Sequence, residues 1–510
     1  MERRAKIVAT LGPATANEKM LGRLLAAGAD VLRFNLSHGD RASHRATLNL
    51  VRRVAREQGR QIPVLLDLMG PRYRLGVVAD GPRLLRGGER VTLGASAAGV
   101  DLPVDEPEFL DHLGRGERML IDNGLIELEI VARRGSRVSA RVVHGGPVST
   151  RKGINLPDSK LPFAVSGKDA ADIAFAAEVQ ADYIAASYVG RARDVEAVRA
   201  AAAAHGALIP IVAKLERAAA VEHIDEIVAA SDAVMVARGD LGVEVPLHQV
   251  PVLQKRIIAA GRRIGRPVIV ATQMLESMME QPRPTRAESS DVANAVFDGA
   301  DALMLSGETA AGLYPVEAVK TMARIVVEAE AYKLRVFQTG ELPRDPSLPG
   351  GRFPTAAPRV LHEADRGGEV EIADVIAAAA VHAASKLDGS RIVAFSQGGF
   401  TAQRLARYRP VVPTFVFTTD AQVARRIQLL WGTRPIHLER DVQHRDDLIE
   451  QVENELLDRK HVRPGECMIL LMGWPIRDRP LTNLLRIHRV RPQRPSATAA
   501  RPRRKRSPRG

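Results

Sequence analysis

The chain has 510 residues, 45% hydrophobic and 26% charged, a soluble, core-forming composition that predicts three or four domains at about 150 residues each. Its apolar stretches are broken by Gly, Pro or charge well short of the ~20 residues of a membrane span, and the basic N-terminus has no secretory apolar run, so a cytoplasmic location without a membrane partner is expected. Cys467 is the only cysteine, which excludes disulfide scaffolds and cysteine-based metal clusters. The net charge of +13 is concentrated: Arg491–Gly510 carries eight Arg/Lys and no Asp/Glu, leaving +5 on the other 490 residues. That Pro-, Ser- and Ala-rich tail reads as disordered, so nucleic acid is not an expected partner. The bases comprise 12 Lys and 61 Arg, so a lysine inside an apolar strand is an unusual choice.

Eight short, nearly continuous apolar runs follow in order: Lys6–Thr10, Val31–Asn35, Pro63–Leu68, Tyr183–Val189, Ile209–Glu216, Ala233–Asp240, Pro267–Gln273 and Ala302–Glu308. Such runs suit parallel strands buried on both faces. Amphipathic helical segments lie between them, including Glu18–Ala27, Ala42–Glu57, Asp194–Ala204 and Val250–Ile264. The pattern predicts an α/β protein built on a (β/α)8 TIM barrel from residues 1–69 and 167–340. Residues 70–166 interrupt it with Gly- and Pro-marked turns and short strands at Arg90–Leu93, Met119–Asp122, Ile126–Val131 and Val138–Val143. This predicts a small β-barrel lid domain inserted after the third strand. Residues 341–368 read as a linker. Residues 369–490 restart a βα pattern (Arg391–Ser396, Thr414–Thr418, Met468–Gly473), predicting a C-terminal α/β domain before the basic tail, 491–510. No internal repeat is evident.

Chemistry in such a barrel sits at the C-terminal ends of the strands. Here those ends are polar: Arg33-Phe-Asn35-Leu-Ser37-His38, Asp67, Ser187, Lys214-Leu-Glu216, Arg238-Gly239-Asp240, Thr272-Gln273 and Ser306-Gly-Glu308-Thr309. Glu216 and Asp240 end neighbouring strands, and two carboxylates plus substrate oxygens and waters suit Mg2+. Capping or salt-bridging acids would look the same. Lys214 lies two residues before Glu216, so both point inward, and a lysine buried there is costly unless anions pair with it. Gly239 and Asp240 follow a strand and open a helical turn, offering free N–H groups to an anion. Arg33 supplies a fork donor for a phosphoryl or carboxylate group. Together these groups compensate the charge of phosphoryl transfer, and no Walker A or protein-kinase glycine loop is present.

From Lys6 to Val490 the sequence resembles the pyruvate kinase family, through Lys6-Ile-Val-Ala-Thr-Leu-Gly-Pro, Arg33-Phe-Asn-Leu-Ser-His-Gly, Lys152-Gly-Ile-Asn-Leu-Pro, Met235-Val-Ala-Arg-Gly-Asp-Leu-Gly-Val-Glu, Ala271-Thr-Gln-Met-Leu-Glu-Ser-Met, Pro282-Arg-Pro-Thr-Arg-Ala-Glu and Met304-Leu-Ser-Gly-Glu-Thr-Ala. The resemblance implies transfer of a phosphoryl group from phosphoenolpyruvate to ADP, giving pyruvate and ATP in glycolysis. It implies that Lys214 stabilises the transferring phosphoryl and the enolate, that Arg33 holds the phosphate, and that Glu216 and Asp240 bind Mg2+ or Mn2+. The amides of Gly239 and Asp240, with Thr272, would seat the substrate carboxylate, and Thr272 with Ser306 would serve enolate protonation through water. Asn35, His38, Arg74 and Lys152 match nucleotide-side positions.

The family's K+ site corresponds to Asn35, Ser37, Asp67 and the carbonyl of Leu68. There the usual Asp-Thr-Lys-Gly-Pro-Glu reads Asp67-Leu-Met-Gly-Pro-Arg72. Arg72 replaces the acidic residue, so K+-independent activity is expected, with the guanidinium standing in for the cation. Asn123 stands where aspartate is common and Gly190 where a base is common. In the C-terminal domain, Phe395-Ser-Gln-Gly-Gly-Phe-Thr-Ala before a helix at Arg404-Leu-Ala-Arg-Tyr-Arg resembles the family's allosteric effector loop, making Ser396, Gln397, Gly398, Gly399 and Thr401 candidates for a phosphorylated effector. A homotetramer is implied as well. The competing readings are a catalytically silent regulatory protein that kept the fold, and a tail that binds RNA.

Overall fold

A computed structural model describes residues 2–78, 81–95, 99–339, 371–439, 445–473 and 482–491. Eight parallel strands close into a barrel: β1 (Lys6–Leu11), β2 (Val31–Asn35), β3 (Val64–Asp67), β4 (Tyr183–Ala186), β5 (Ile211–Leu215), β6 (Ala233–Ala237), β7 (Val268–Ala271) and β8 (Ala302–Leu305), with β1 pairing both β2 and β8. All eight occur where the apolar runs predict them. From β3 onward the predicted runs overshoot at their C-terminal ends, by three residues at β4, β6 and β8; at β6 the chain turns into the helix Arg238–Glu244 before Asp240. Helices Glu18–Ala27 and Val250–Ile264 match their predicted bounds.

Strand alternation sorts the barrel interior into layers. Val8, Val31, Leu65, Tyr183, Val212, Met235, Ile269 and Met304 pack inside as one apolar cluster, while the alternate residues pack outward against the helices. One further turn along, the inward positions become Thr10, Arg33, Asp67, Ser187 and Lys214, all buried or nearly so. Apolar filling thus forms a dry floor beneath a charged upper layer. Leu429 of the C-terminal domain, 1% exposed, completes that floor from the opposite mouth.

The lower rim carries a repeated device that the sequence reading passes over. Asp30, Asp182, Asp232 and Asp301 each precede an even-numbered strand. Each accepts an N–H from the first or second residue of the preceding odd strand: Ile7 at 2.9 Å, Val64 at 2.8 Å, Ile211 at 2.9 Å and Val268 at 3.0 Å. Each also pairs with arginine: Asp30 with Arg3, Asp182 with Arg52 and Arg425, Asp232 with Arg199, and Asp301 with Arg409. Arg409 and Arg425 belong to the C-terminal domain, as does Gln428, which donates to Asp30 at 3.3 Å, so three of the four aspartates also dock that domain.

The inserted lid forms a seven-stranded curled sheet in the order Tyr73–Arg74, Gly153–Asn155, Arg118–Ile121, Ile126–Arg134, Arg137–His144, Arg90–Gly94, Leu102–Pro103. The small barrel expected here is a curled sheet whose two edges meet at an antiparallel bridge between Leu75 and Val104. Pro103 has no N–H to extend a ladder there, though its carbonyl accepts Gly76 N–H at 2.8 Å. The C-terminal domain is a five-stranded sheet in the order Thr433–His437, Thr414–Thr418, Arg391–Phe395, Cys467–Met472, Leu484–Arg489, with the last strand antiparallel. The linker 341–368 and nearly all of the tail 491–510 lie outside the described residues. Among the described residues no helix is long and apolar enough to cross a membrane.

Candidate active site

Lys214 is the hub of the charged layer. Its ammonium donates to Ser187 Oγ at 2.6 Å and lies 3.2 Å from Glu216 Oε2 and 3.4 Å from Asp67 Oδ1. Burial works against the charged lysine, yet Asp67, Glu216 and Asp240 outweigh it and hold the ammonium well above its ordinary pKa. Ser187 passes its own O–H to the Leu68 carbonyl at 2.8 Å.

Asp67 links the lysine to Arg33, whose Nε and terminal nitrogen both reach Asp67 Oδ2 at 2.7 Å, while another arm donates to Thr10 at 3.0 Å. Against its burial, Lys214 and Arg33 keep Asp67 ionised. Arg33 and Asp67 meet because β2 and β3 pair in register, Asn35 opposite Asp67.

Glu216, one residue past β5, is completely buried. Its Oε1 accepts the Tyr188 N–H at 2.6 Å, whereas Oε2 has no hydrogen-bond donor, only the ionic contact with Lys214. Burial pushes its carboxyl up to about 7, Asp240 pushes the same way, and Lys214 opposes. A buried carboxylate oxygen without a donor, beside a second carboxylate, suits a divalent cation. Among the described residues no group of three or more His, Cys, Asp or Glu is arranged to hold a metal, so such a cation would complete its shell with substrate oxygens and water.

The expected anion seat, just past β6 and β7, is built on strained backbone. Thr272 and Gln273 take φ of 69° and 53°, a region costly for a β-branched residue. Arg238 fixes that turn, donating to the Thr272 carbonyl at 2.7 Å while Asp291 anchors its guanidinium at 2.7 Å. The Gly239 N–H, in the first turn of Arg238–Glu244, donates to Thr272 Oγ1 at 2.7 Å. One of the two amides expected for the substrate carboxylate is therefore engaged by the threonine. Ser306 Oγ is buried with no hydrogen-bond partner, and the Ser306 N–H donates to Glu308 at 2.7 Å.

The residues expected on the nucleotide side fall into two groups. Asn35 accepts the Ser37 N–H at 3.1 Å and, with His38, stays on the barrel. Arg74 and Lys152 lie together on the lid, Arg74 reaching the Arg151 carbonyl and Lys152 pairing with Asp122 at 2.7 Å. Of the candidate K+ ligands, Asp67 is engaged by Arg33 and Lys214, and the Leu68 carbonyl by Ser187. Arg72 faces the other side of the site: its Nε donates to Tyr188 Oη at 3.2 Å, and the carboxylates that act on it are Asp240 and Glu216.

In the C-terminal domain the helix begins at Phe400, earlier than expected, which places Thr401 inside it. Thr401 Oγ1 meets Thr482 Oγ1 at 2.7 Å in the interior, and Ser396 is buried, while Gln397 and Gly398 are exposed. Gly399 takes φ 82°, the turn into the helix. The sequence reading missed the roles of Thr10 and Tyr188. Thr10 carries an inward-facing signal, two residues from Val8 on β1, but the left-handed backbone at Tyr188 leaves no trace in residue type.

A closed parallel barrel with paired cations and carboxylates gathered at its C-terminal mouth defines a (β/α)8-barrel enzyme built around an anionic substrate. The family description "Pyruvate kinase, barrel domain" matches residues 2–319, and "Pyruvate kinase, alpha/beta domain" matches residues 374–488. A pyruvate kinase of Mycobacterium tuberculosis is 42% identical over 96% of this chain and 99% of its own. One from Geobacillus stearothermophilus is 39% identical over 96% of this chain and 80% of its own. The crystal structure of a pyruvate kinase from Cryptosporidium parvum superposes with a TM-score of 0.84 at 30% identity, covering 96% of each chain. The chain belongs to the pyruvate kinase family and is a glycolytic phosphotransferase, a family with phosphoenolpyruvate and ADP as substrates and pyruvate and ATP as products.

Proposed function

We propose that this chain transfers the phosphoryl group of phosphoenolpyruvate to ADP with Mg2+ or Mn2+ held by Glu216 and Asp240, and without a requirement for K+. The observation that carries this is the Lys214 ammonium fixed between Asp67 and Glu216, whose second oxygen has no hydrogen-bond donor. Bound there, the divalent ion would supply positive charge to phosphate and enolate oxygens.

The protein's own groups do the rest. Arg33, clamped by Asp67 and Thr10, presents its fork to the substrate phosphate from a fixed position. Lys214, kept charged by three carboxylates, stabilises the phosphoryl group as it leaves the enolate oxygen. The first-turn amides at Gly239 and Asp240, with Thr272, orient the substrate carboxylate. Thr272, with Ser306 at the end of the neighbouring strand β8, serves the water that delivers a proton to the enolate carbon. Asn35 and His38 from the barrel and Arg74 and Lys152 from the lid hold the nucleotide between them. The lid also excludes water that would otherwise hydrolyse the donor.

Arg72 bears on K+ by its charge, placed on the Glu216–Asp240 edge of the site. Asp67 already has two cationic partners, and a monovalent ion near Asn35 and Ser37 would be a third. Ser396, Gln397, Gly398, Gly399 and Thr401 remain the candidate seat for a phosphorylated effector, within a cytoplasmic homotetramer. The test is metal activation of Glu216→Gln: activity should need far more Mg2+ or vanish, whereas unchanged activation would remove Glu216 from the metal seat.

A further inference from the structure

We propose that Tyr188 is a positioning residue that ties the lid's first hinge segment to the metal seat. Its phenol aims Arg72 across the Glu216–Asp240 edge, and its main-chain N–H fixes the Glu216 carboxylate.

Tyr188 directly follows Ser187, the residue that receives the Lys214 ammonium, so two consecutive positions past β4 hold three charged groups of the site. Its φ of 60° lies in the left-handed region, which costs a non-glycine residue about 1–2 kcal/mol. That backbone persists because it points the Tyr188 N–H at Glu216 Oε1, 2.6 Å away, while the side chain turns toward the lid. The ring packs on Gly70, where the chain leaves the barrel for the lid. A Cβ at Gly70 would come within 3.0 Å of the Tyr188 ring and 2.8 Å of Ser187 Cβ, so only glycine fits beneath it. Gly70 is itself pinned, donating its N–H to Asp169 at 3.1 Å. Two residues on, Arg72 Nε meets the phenol oxygen at 3.2 Å. Among the described residues the terminal nitrogens of Arg72 have no hydrogen-bond partner, leaving its fork open to a substrate oxygen. Burial pushes the phenol's pKa up to about 12, so Tyr188 stays neutral while it holds the guanidinium.

This rests on the pyruvate kinase reading of the site, and the test has one arm that needs no turnover. Tyr188→Phe removes only the oxygen that holds Arg72. With the guanidinium released from the carboxylate edge, Mn2+ should bind the substrate-free protein about threefold to tenfold more tightly, the size expected for losing one neighbouring positive charge at a partly wet rim. KM for phosphoenolpyruvate should rise by a similar factor while kcat stays within about twofold. In an Arg72→Ala background, Tyr188→Phe should add nothing to either quantity. Opposite signs for metal and substrate, and non-additivity with Arg72, are effects that general damage to the site does not produce. Weakening of both ligands together, unchanged values, or full additivity with Arg72→Ala would overturn the proposal. Absence of wild-type turnover would instead count against the pyruvate kinase reading, with the Mn2+ titration still deciding whether Tyr188 governs the charge at Glu216.

Discussion

Replacing Lys214 by Met separates catalysis from stability in a way this site makes specific. The substitution removes the donor to Ser187 at 2.6 Å and the ionic contacts to Glu216 and Asp67 at 3.2 and 3.4 Å. Stripping one partner from a buried ion pair ordinarily costs about 3–5 kcal/mol, because a charge is stranded. Neither carboxylate is stranded here. Asp67 keeps Arg33 at 2.7 Å, and Glu216, whose carboxyl already sits near 7, takes up a proton once the ammonium is gone. The loss of stability at pH 6 should therefore stay below about 2 kcal/mol.

Above neutrality the sign follows from linkage. A carboxyl whose folded pKa is raised binds more protons in the native than in the unfolded chain, so its contribution to stability falls as pH rises between the two values. In the wild type that window runs from 4.5 to about 7; in Lys214→Met it extends further, and the variant should lose ground against wild type as pH climbs past 7. Turnover should fall by about 10³, equivalent to ~4 kcal/mol, since the charge facing the transferring group is gone. Steady-state pyruvate formation and thermal melts at pH 6 and 8 read both effects. A variant whose kcat stays within tenfold of wild type would refute the assignment of Lys214 to the phosphoryl group.

Three other outcomes follow from the geometry. Arg409→Ala removes the arginine that grips Asp301 and the Gly299 carbonyl, so hydrogen exchange should show C-terminal domain amides losing about 2–4 kcal/mol of protection before the barrel does; uniform loss would contradict separate docking. Lys6 is buried against the Thr433 carbonyl at 2.6 Å, and burial pulls its pKa from 10.5 to about 8. Between those values the unfolded chain binds more protons, so stability should rise with pH from 8 to 10.5, by up to the order of 3 kcal/mol, relative to Lys6→Met; parallel profiles would refute it. Thr272→Ala should lower kcat about a hundredfold and leave the melting midpoint nearly unchanged, because Arg238 still holds the turn; a wild-type rate would remove the hydroxyl from the chemistry.

The barrel and its central charges are legible in sequence because burial on both faces leaves unbroken Val/Ile/Ala runs, and because Lys214 and Glu216 lie two apart on such a run. The sequence points to Asp67 as a monovalent-ion ligand; its engagement by Arg33 and Lys214 depends on strand register across the barrel, which no local pattern encodes. The left-handed residues Tyr188, Thr272 and Gln273 are invisible for a similar reason: tertiary contacts, not residue type, force their backbones. The rim aspartates do leave a trace, a small residue before Asp in Gly28-Ala-Asp30, Ala181-Asp182, Ser231-Asp232 and Gly299-Ala-Asp301. One such pair reads as ordinary turn chemistry, and only the four together reveal the collar. The short seam of the lid reflects Pro103, a residue visible in sequence whose place at the seam is not.

The most direct test is pyruvate formation from phosphoenolpyruvate and ADP, measured with Mg2+ in K+-free and K+-containing buffers and again after chelation of the divalent ion. Equal, substantial rates in the first two and none in the third are predicted. A rate that appears only with K+ would contradict the part assigned to Arg72, and the absence of pyruvate in every buffer would contradict the account as a whole.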